Sequence, residues 1–156
     1  MKRILPVISL LICSVAVLNA QTVAENFMSS HKDVKSAKYV SVKGPKMSMV
    51  RPFLSKRSIA PVLEFVDGFT MLKLQHVDAD LRDHHISDLL IMLKSYTYYG
   101  QWNSQDGIVD VYVNSSDPYS VEEIVVYNPS IMTLYSVIGK FPIERLLKLT
   151  GAVNSK

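Results

Sequence analysis

The densest set of side chains able to do chemistry lies between His76 and Asp88: His76, Asp78, Asp80, Asp83, His84, His85 and Asp88. Imidazole nitrogens and carboxylate oxygens are the donors that zinc and other borderline divalent metals take. His84 and Asp88, at i and i+4, share one face if this segment is helical. The spacing matches no known ligand signature such as H-E-x-x-H. Aspartates also gather at helix starts, where they cap free N–H groups and oppose the positive end of the dipole. Asp80 and Asp88 each lie one turn from His84 as ion-pair partners, and His76 is expected to point away from that face. Capping therefore accounts for the cluster at the level of sequence, and no metal ligand is assigned.

Other chemistry finds less support. Tyr96, Tyr98, Tyr99 and Trp102 could stack on a glycan or peptide, but aromatics in a connection over a sheet more often close the core edge. There are serines but no G-x-S-x-G turn. Gly44, Gly68, Gly100, Gly107, Gly139 and Gly151 never form a phosphate-binding cluster. Glu122 and Glu123 are adjacent on an expected strand, so they point to opposite faces and would not converge. No catalytic residue and no cofactor is expected.

The elements that would position these groups are read from periodicity. Residues 107–139 read as three consecutive strands, GIVDVYVN, YSVEEIVVYN and SIMTLYSVIG, joined at Ser115-Ser116-Asp117-Pro118 and at Asn128-Pro129. Val109, Val111 and Val113 alternate with Asp110 and Asn114, the period of a half-buried strand. Ile124, Val126, Met132, Leu134 and Ile138 are expected to continue the buried face. A sheet wet on one side needs cover on the other.

Ahead of these strands, Thr22-Val23-Ala24-Glu25 has the form of a capping box for a helix to about His31, with Val23, Phe27 and Met28 inward. Residues 37–43 read as a strand stopped by Gly44-Pro45. Met47, Met49, Val50, Phe53 and Leu54 could form a helical stripe, with Pro52 forbidding a long helix; methionines at such spacing are usually core filler rather than a peptide-binding groove. Ser58 can cap a helix to about Val66, with Pro61 in its first turn. Asp67-Gly68 reads as a turn and residues 69–77 as a strand. A helix over 80–95 has Asp80 as cap and Ile86, Leu89, Leu90 and Leu93 as core face. Residues 96–105 read as an aromatic connection or irregular strand. A last helix follows Pro142, with Ile143, Leu146 and Leu147 inward and Gly151 as its stop. The sum is one α+β domain: a mainly antiparallel sheet of about five strands, with helices packed chiefly on one face.

Composition adds a compartment. In the chain of 156 residues, Lys2 and Arg3 precede an apolar run from Ile4 to Leu18, and Leu18-Asn19-Ala20 offers a cleavage site before Gln21. This is the layout of a secretory signal peptide over residues 1–20, with the domain at 21–156. The run of about 15 apolar positions, interrupted by Pro6, falls short of the roughly 20 that a spanning helix needs. No membrane span is expected after cleavage. Cys13 is the single cysteine and would leave with the leader, so disulfides, thiolate metal sites and cysteine nucleophiles are excluded from the mature chain.

The net charge of +3 is unevenly spread. Residues 21–57 carry eight basic groups, including Lys32, Lys43 and Arg57, against Glu25 and Asp33. Residues 58–156 carry seven basic and twelve acidic groups. The basic charges are spaced rather than blocked, which suits a solvated lobe balancing its own fold better than a lipid- or glycan-binding face. Nucleic acid is not an expected partner, since no recognition motif is present.

The stretch EEIVVYNPSIMTLYSVIGKFPIERLLKLTG resembles the closing signature of a family of secreted Gram-negative envelope proteins, catalogued as a domain of unknown function, number four-two-five-two of that series. In that family an acidic residue opens a strand, a second strand ends in glycine, and a short leucine- or isoleucine-rich helix follows. Phe141-Pro142 stands where a smaller aliphatic pair is more usual. The leader, the helix holding Phe27 and the strand YVSVK fit the same pattern. The resemblance implies an export signal and an α+β domain, and it carries no catalytic residues. The functional expectation is an exported, soluble, non-catalytic module, periplasmic or at the surface, acting by contact with another envelope protein. The alternative is a small-ligand or metal-binding periplasmic protein.

Overall fold

A computed structural model describes residues 21–54 and 60–151. The expected leader at 1–20, with Cys13, and the expected cap Ser58 lie outside the described residues. The elements are α1 (Val23–Ser30), β1 (Lys38–Lys43), a 3₁₀ turn (Gly44–Lys46), α2 (Met47–Leu54), a second 3₁₀ helix (Ala60–Phe65), β2 (Val66–Lys73), α3 (Ala79–Leu93), β3 (Thr97–Ser104), β4 (Gly107–Asn114), β5 (Ser120–Asn128), β6 (Thr133–Pro142) and α4 (Ile143–Gly151). The strands form one antiparallel sheet in the order β1-β2-β6-β5-β4-β3. The α+β class and antiparallel sheet are as expected, with six strands in place of about five. The additional strand is β3, whose ladder with β4 is broken by a register shift between Tyr98 and Gly100.

The sheet is dry on both faces at its centre, which corrects the picture of one wet side. The front face carries Leu72, Val125, Tyr127 and Leu134 beneath Ala24 and Met28 of α1 and Leu89, Met92 and Leu93 of α3. The back face carries Val109, Val111, Val113 and Ile124 beneath Met47 of α2, Val62 and Leu63 of the 3₁₀ helix, and Leu146 of α4. Ile124 and Val126 thus continue the valine face of β4, whereas Leu134 joins the opposite one. Alternating strands in a sheet covered twice are apolar at both parities, and period alone cannot say which face is inward.

Several local assignments are revised by packing. In α1 Val23 is exposed, and Ala24, Glu25 and Met28 turn inward. Asp67-Gly68 is not a turn: it lies inside β2, at a register shift against β6. The N-cap of α3 is Asp78 without a side-chain hydrogen bond, and Asp80 sits in the first turn. Met92, not Leu90, joins Leu89 and Leu93 in the core. In α4 Leu146 is buried and Leu147 exposed.

Both sequence-marked joins are built on side chains that replace backbone partners. Asp117 Oδ1 accepts from the amides of Tyr119 and Ser120 at 2.7 and 2.8 Å. The Ser120 hydroxyl, which donates to Asp117, and these amides hold the carboxyl below its usual range. Asn128 Oδ1 accepts from Ser130 N at 3.0 Å, turning the chain from β5 into β6. Among the described residues no helix is long and apolar enough to cross a membrane.

Candidate functional sites

The first site is a buried carboxylate pair on the front face. Register fixes its floor. Ser41, Thr70 and Ser136 lie opposite one another across β1, β2 and β6, and one rung along lie Lys43, Gly68, Ile138 and Glu123. Glu123 shares a face with Val125 and Tyr127, so the strand delivers an acid into an apolar layer. The residue is 1% exposed. Oε1 accepts from Thr22 Oγ1 at 2.7 Å and Ser136 Oγ at 2.6 Å, and Oε2 accepts from the Tyr96 hydroxyl at 2.8 Å.

The roof is the start of α1, where Thr22 connects two acids. Its side chain accepts from Glu25 N and its amide donates to Glu25 Oε2, completing the expected capping box, while its hydroxyl proton goes to Glu123. Tyr96 accepts the Ala24 amide at 2.9 Å, one of the helix-start donors that lack intrahelical partners. Glu25 Oε1 has no hydrogen bond of normal geometry but is met by the Lys43 ammonium as an ion pair. Lys43 reaches it by passing over Gly68, where a Cβ would stand 3.3 Å from the lysine Cγ. Burial, and then the Glu123 charge, push the Tyr96 phenol above its ordinary range.

Chemically this is a clamp. Both Glu123 oxygens are occupied by hydroxyl donors, and the side chain has no surface to offer a substrate. A charge-assisted network of this kind fixes α1, the turn after α3 and the sheet in one arrangement.

The second site joins α1 to α3. His31, the C-cap of α1, stacks on Phe27 with ring centroids 4.2 Å apart and meets the edge of His85 at 4.8 Å. Ligand atoms of His31, His85 and Asp88 lie within 4.8 Å of one another. Of the histidine–aspartate constellation read from the sequence, the structure brings His85 and Asp88 together here. His84 pairs with Asp88 at 3.5 Å from a more exposed position. His76 is exposed in the turn before α3, and Asp78, Asp80 and Asp83 occupy its capping end. Sequence reasoning missed His31, because only the packing of α1 on α3 makes it a neighbour.

The third candidate is the aromatic segment. Tyr96 belongs to the carboxylate clamp. Tyr99 and Trp102 pack against the back core, and Tyr98 stays exposed, edge-on to Tyr112 at 5.4 Å. No family model, curated protein or solved structure matches this chain.

Proposed function

We propose that this chain is an exported envelope protein, periplasmic or at the surface, that has no catalysis of its own and acts by contact with another protein. The contact is strand addition to β3. The observation that carries this reading is the asymmetry of the sheet's two edges. β1 is bracketed by Lys38 and Lys43, and lysines on an edge discourage pairing with other chains. β3 (TYYGQWNS) has no charged residue along its eight positions. Past the irregularity at Tyr98–Gly100 it runs regularly to Ser104. An extended segment of a partner can pair with that stretch, its side chains resting beside Gln101 and Asn103.

The leader-like start, the cysteine-free remainder and the resemblance to the envelope family support export. Edman sequencing of the protein from fractionated cells tests that half, with Gln21 expected as the first residue. An affinity pull-down from envelope extract tests the other. The unaltered protein captures a partner, and Gln101→Lys/Asn103→Lys loses it while keeping its unfolding midpoint. Equal capture by both proteins overturns the edge as the contact.

A further inference from the structure

The clamp and the β3 edge leave the histidine pair between α1 and α3 unused. His31 Nδ1 lies 2.7 Å from the Phe27 carbonyl oxygen. A carbonyl only accepts, and Ser30 Oγ, 3.0 Å from the same nitrogen, gives its own proton to that carbonyl, so Nδ1 carries the proton and Nε2 keeps its lone pair. A backbone carbonyl orienting an imidazole in this way is the usual second layer of a metal-bound histidine. The Phe27 ring stacked on His31 holds the same orientation.

His85 brings an independent observation. Its Nδ1 is closed off from solvent and has no hydrogen-bond partner, which a polar atom tolerates only at a cost unless a ligand completes it. Asp88 follows His85 by three residues on the same helical face, and adds a carboxylate.

We propose that His31, His85 and Asp88 bind one divalent transition-metal ion of the zinc class. Two imidazoles and one carboxylate favour zinc, nickel or copper over calcium or magnesium, which take oxygen. Tetrahedral bonds of about 2.0–2.1 Å place ligand atoms about 3.4 Å apart. From 4.8 Å the side chains must close by no more than about 1.5 Å, a rotamer adjustment at half-buried positions. Three protein donors leave the fourth position to water or to a group brought by a partner.

This inference is independent of export and of the β3 contact. The tag-free protein is titrated with zinc chloride by calorimetry, and its thermal unfolding is followed with and without zinc. One equivalent binds, the unfolding temperature rises, and EDTA reverses the rise. His31→Gln, His85→Gln and Asp88→Asn each weaken zinc binding by at least about tenfold, with their zinc-free unfolding temperatures showing that they fold. His76→Gln binds as the unaltered protein does, and calcium and magnesium leave the unfolding temperature unchanged. Absence of saturable zinc binding, or equal affinity in the three variants and the unaltered chain, overturns the site.

Discussion

Tyr96 donates its phenolic proton to Glu123 across 2.8 Å, joining the turn between α3 and β3 to the middle of β5. Because the same oxygen accepts the Ala24 amide, one hydroxyl holds three elements together. Tyr96→Phe leaves both a carboxylate oxygen and a helix-start N–H without a partner. It is expected to cost about 1–3 kcal/mol in urea unfolding. The pKa of Tyr96 in the fold lies above that of the unfolded chain, which is near 10. Its contribution is therefore full below that value and is lost as pH rises through the folded one. Stability measured from about pH 9 upward should fall more steeply in the unaltered protein than in Tyr96→Phe.

Glu123 faces donors only. A glutamine there presents an NH₂ group to hydroxyls already committed as donors, so Glu123→Gln should cost about 2–4 kcal/mol despite its equal size. Chemical denaturation checks this. A change below about 0.5 kcal/mol would show that the carboxylate charge is not what organises the network.

Gly139 and Gly44 should respond very differently to alanine. A Cβ on Gly139 would stand 1.9 Å from the Phe65 carbonyl oxygen, backbone that cannot step aside. Gly139→Ala is expected to lose more than about 4 kcal/mol, or the folded state altogether. Gly44 has open space around it but a φ of +57°, so Gly44→Ala carries only a conformational cost of about 1–2 kcal/mol. Thermal melts of the two variants side by side read the contrast.

His85 sets an expectation at acid pH. Its pKa is lowered by burial and by His31 and His84, with Asp88 opposing. The unfolded state therefore binds the proton more tightly, and the stability is present above the unfolded value, near 6.5, and is lost as pH falls through the folded one. The urea midpoint of the metal-free protein should drop between about pH 7.5 and pH 5. The drop should be smaller in His85→Gln.

Much of the sheet is legible in the sequence. β4 is found at its full extent because valines alternate with polar residues between two turn signals. The capping box at Thr22 and Glu25 is likewise local, and it forms as read. What escapes is whatever depends on a second layer. Val23 and Leu90 lie on apolar stripes yet face solvent, since helix rotation is set by what the helix rests on. Asp67-Gly68 has turn chemistry, but β6 draws it into a ladder and the glycine instead makes room for Lys43. The Glu123 burial had a faint signal, an acid on the same strand face as Val125 and Tyr127. His31 had none, because its distance in the chain from His85 conceals a contact that exists only after folding.

The sheet order has a temporal meaning. β2 finds its inner neighbour in β6, so Val66 waits for Gly139 to be synthesised before it can pair. Until then β1 and β2 are a ribbon with both margins bare, too small to persist in water. Such distant closure makes for slow, late collapse. A polypeptide threaded through a translocation pore, as the proposed route requires, benefits from that delay: the strand that locks the architecture emerges after the other five.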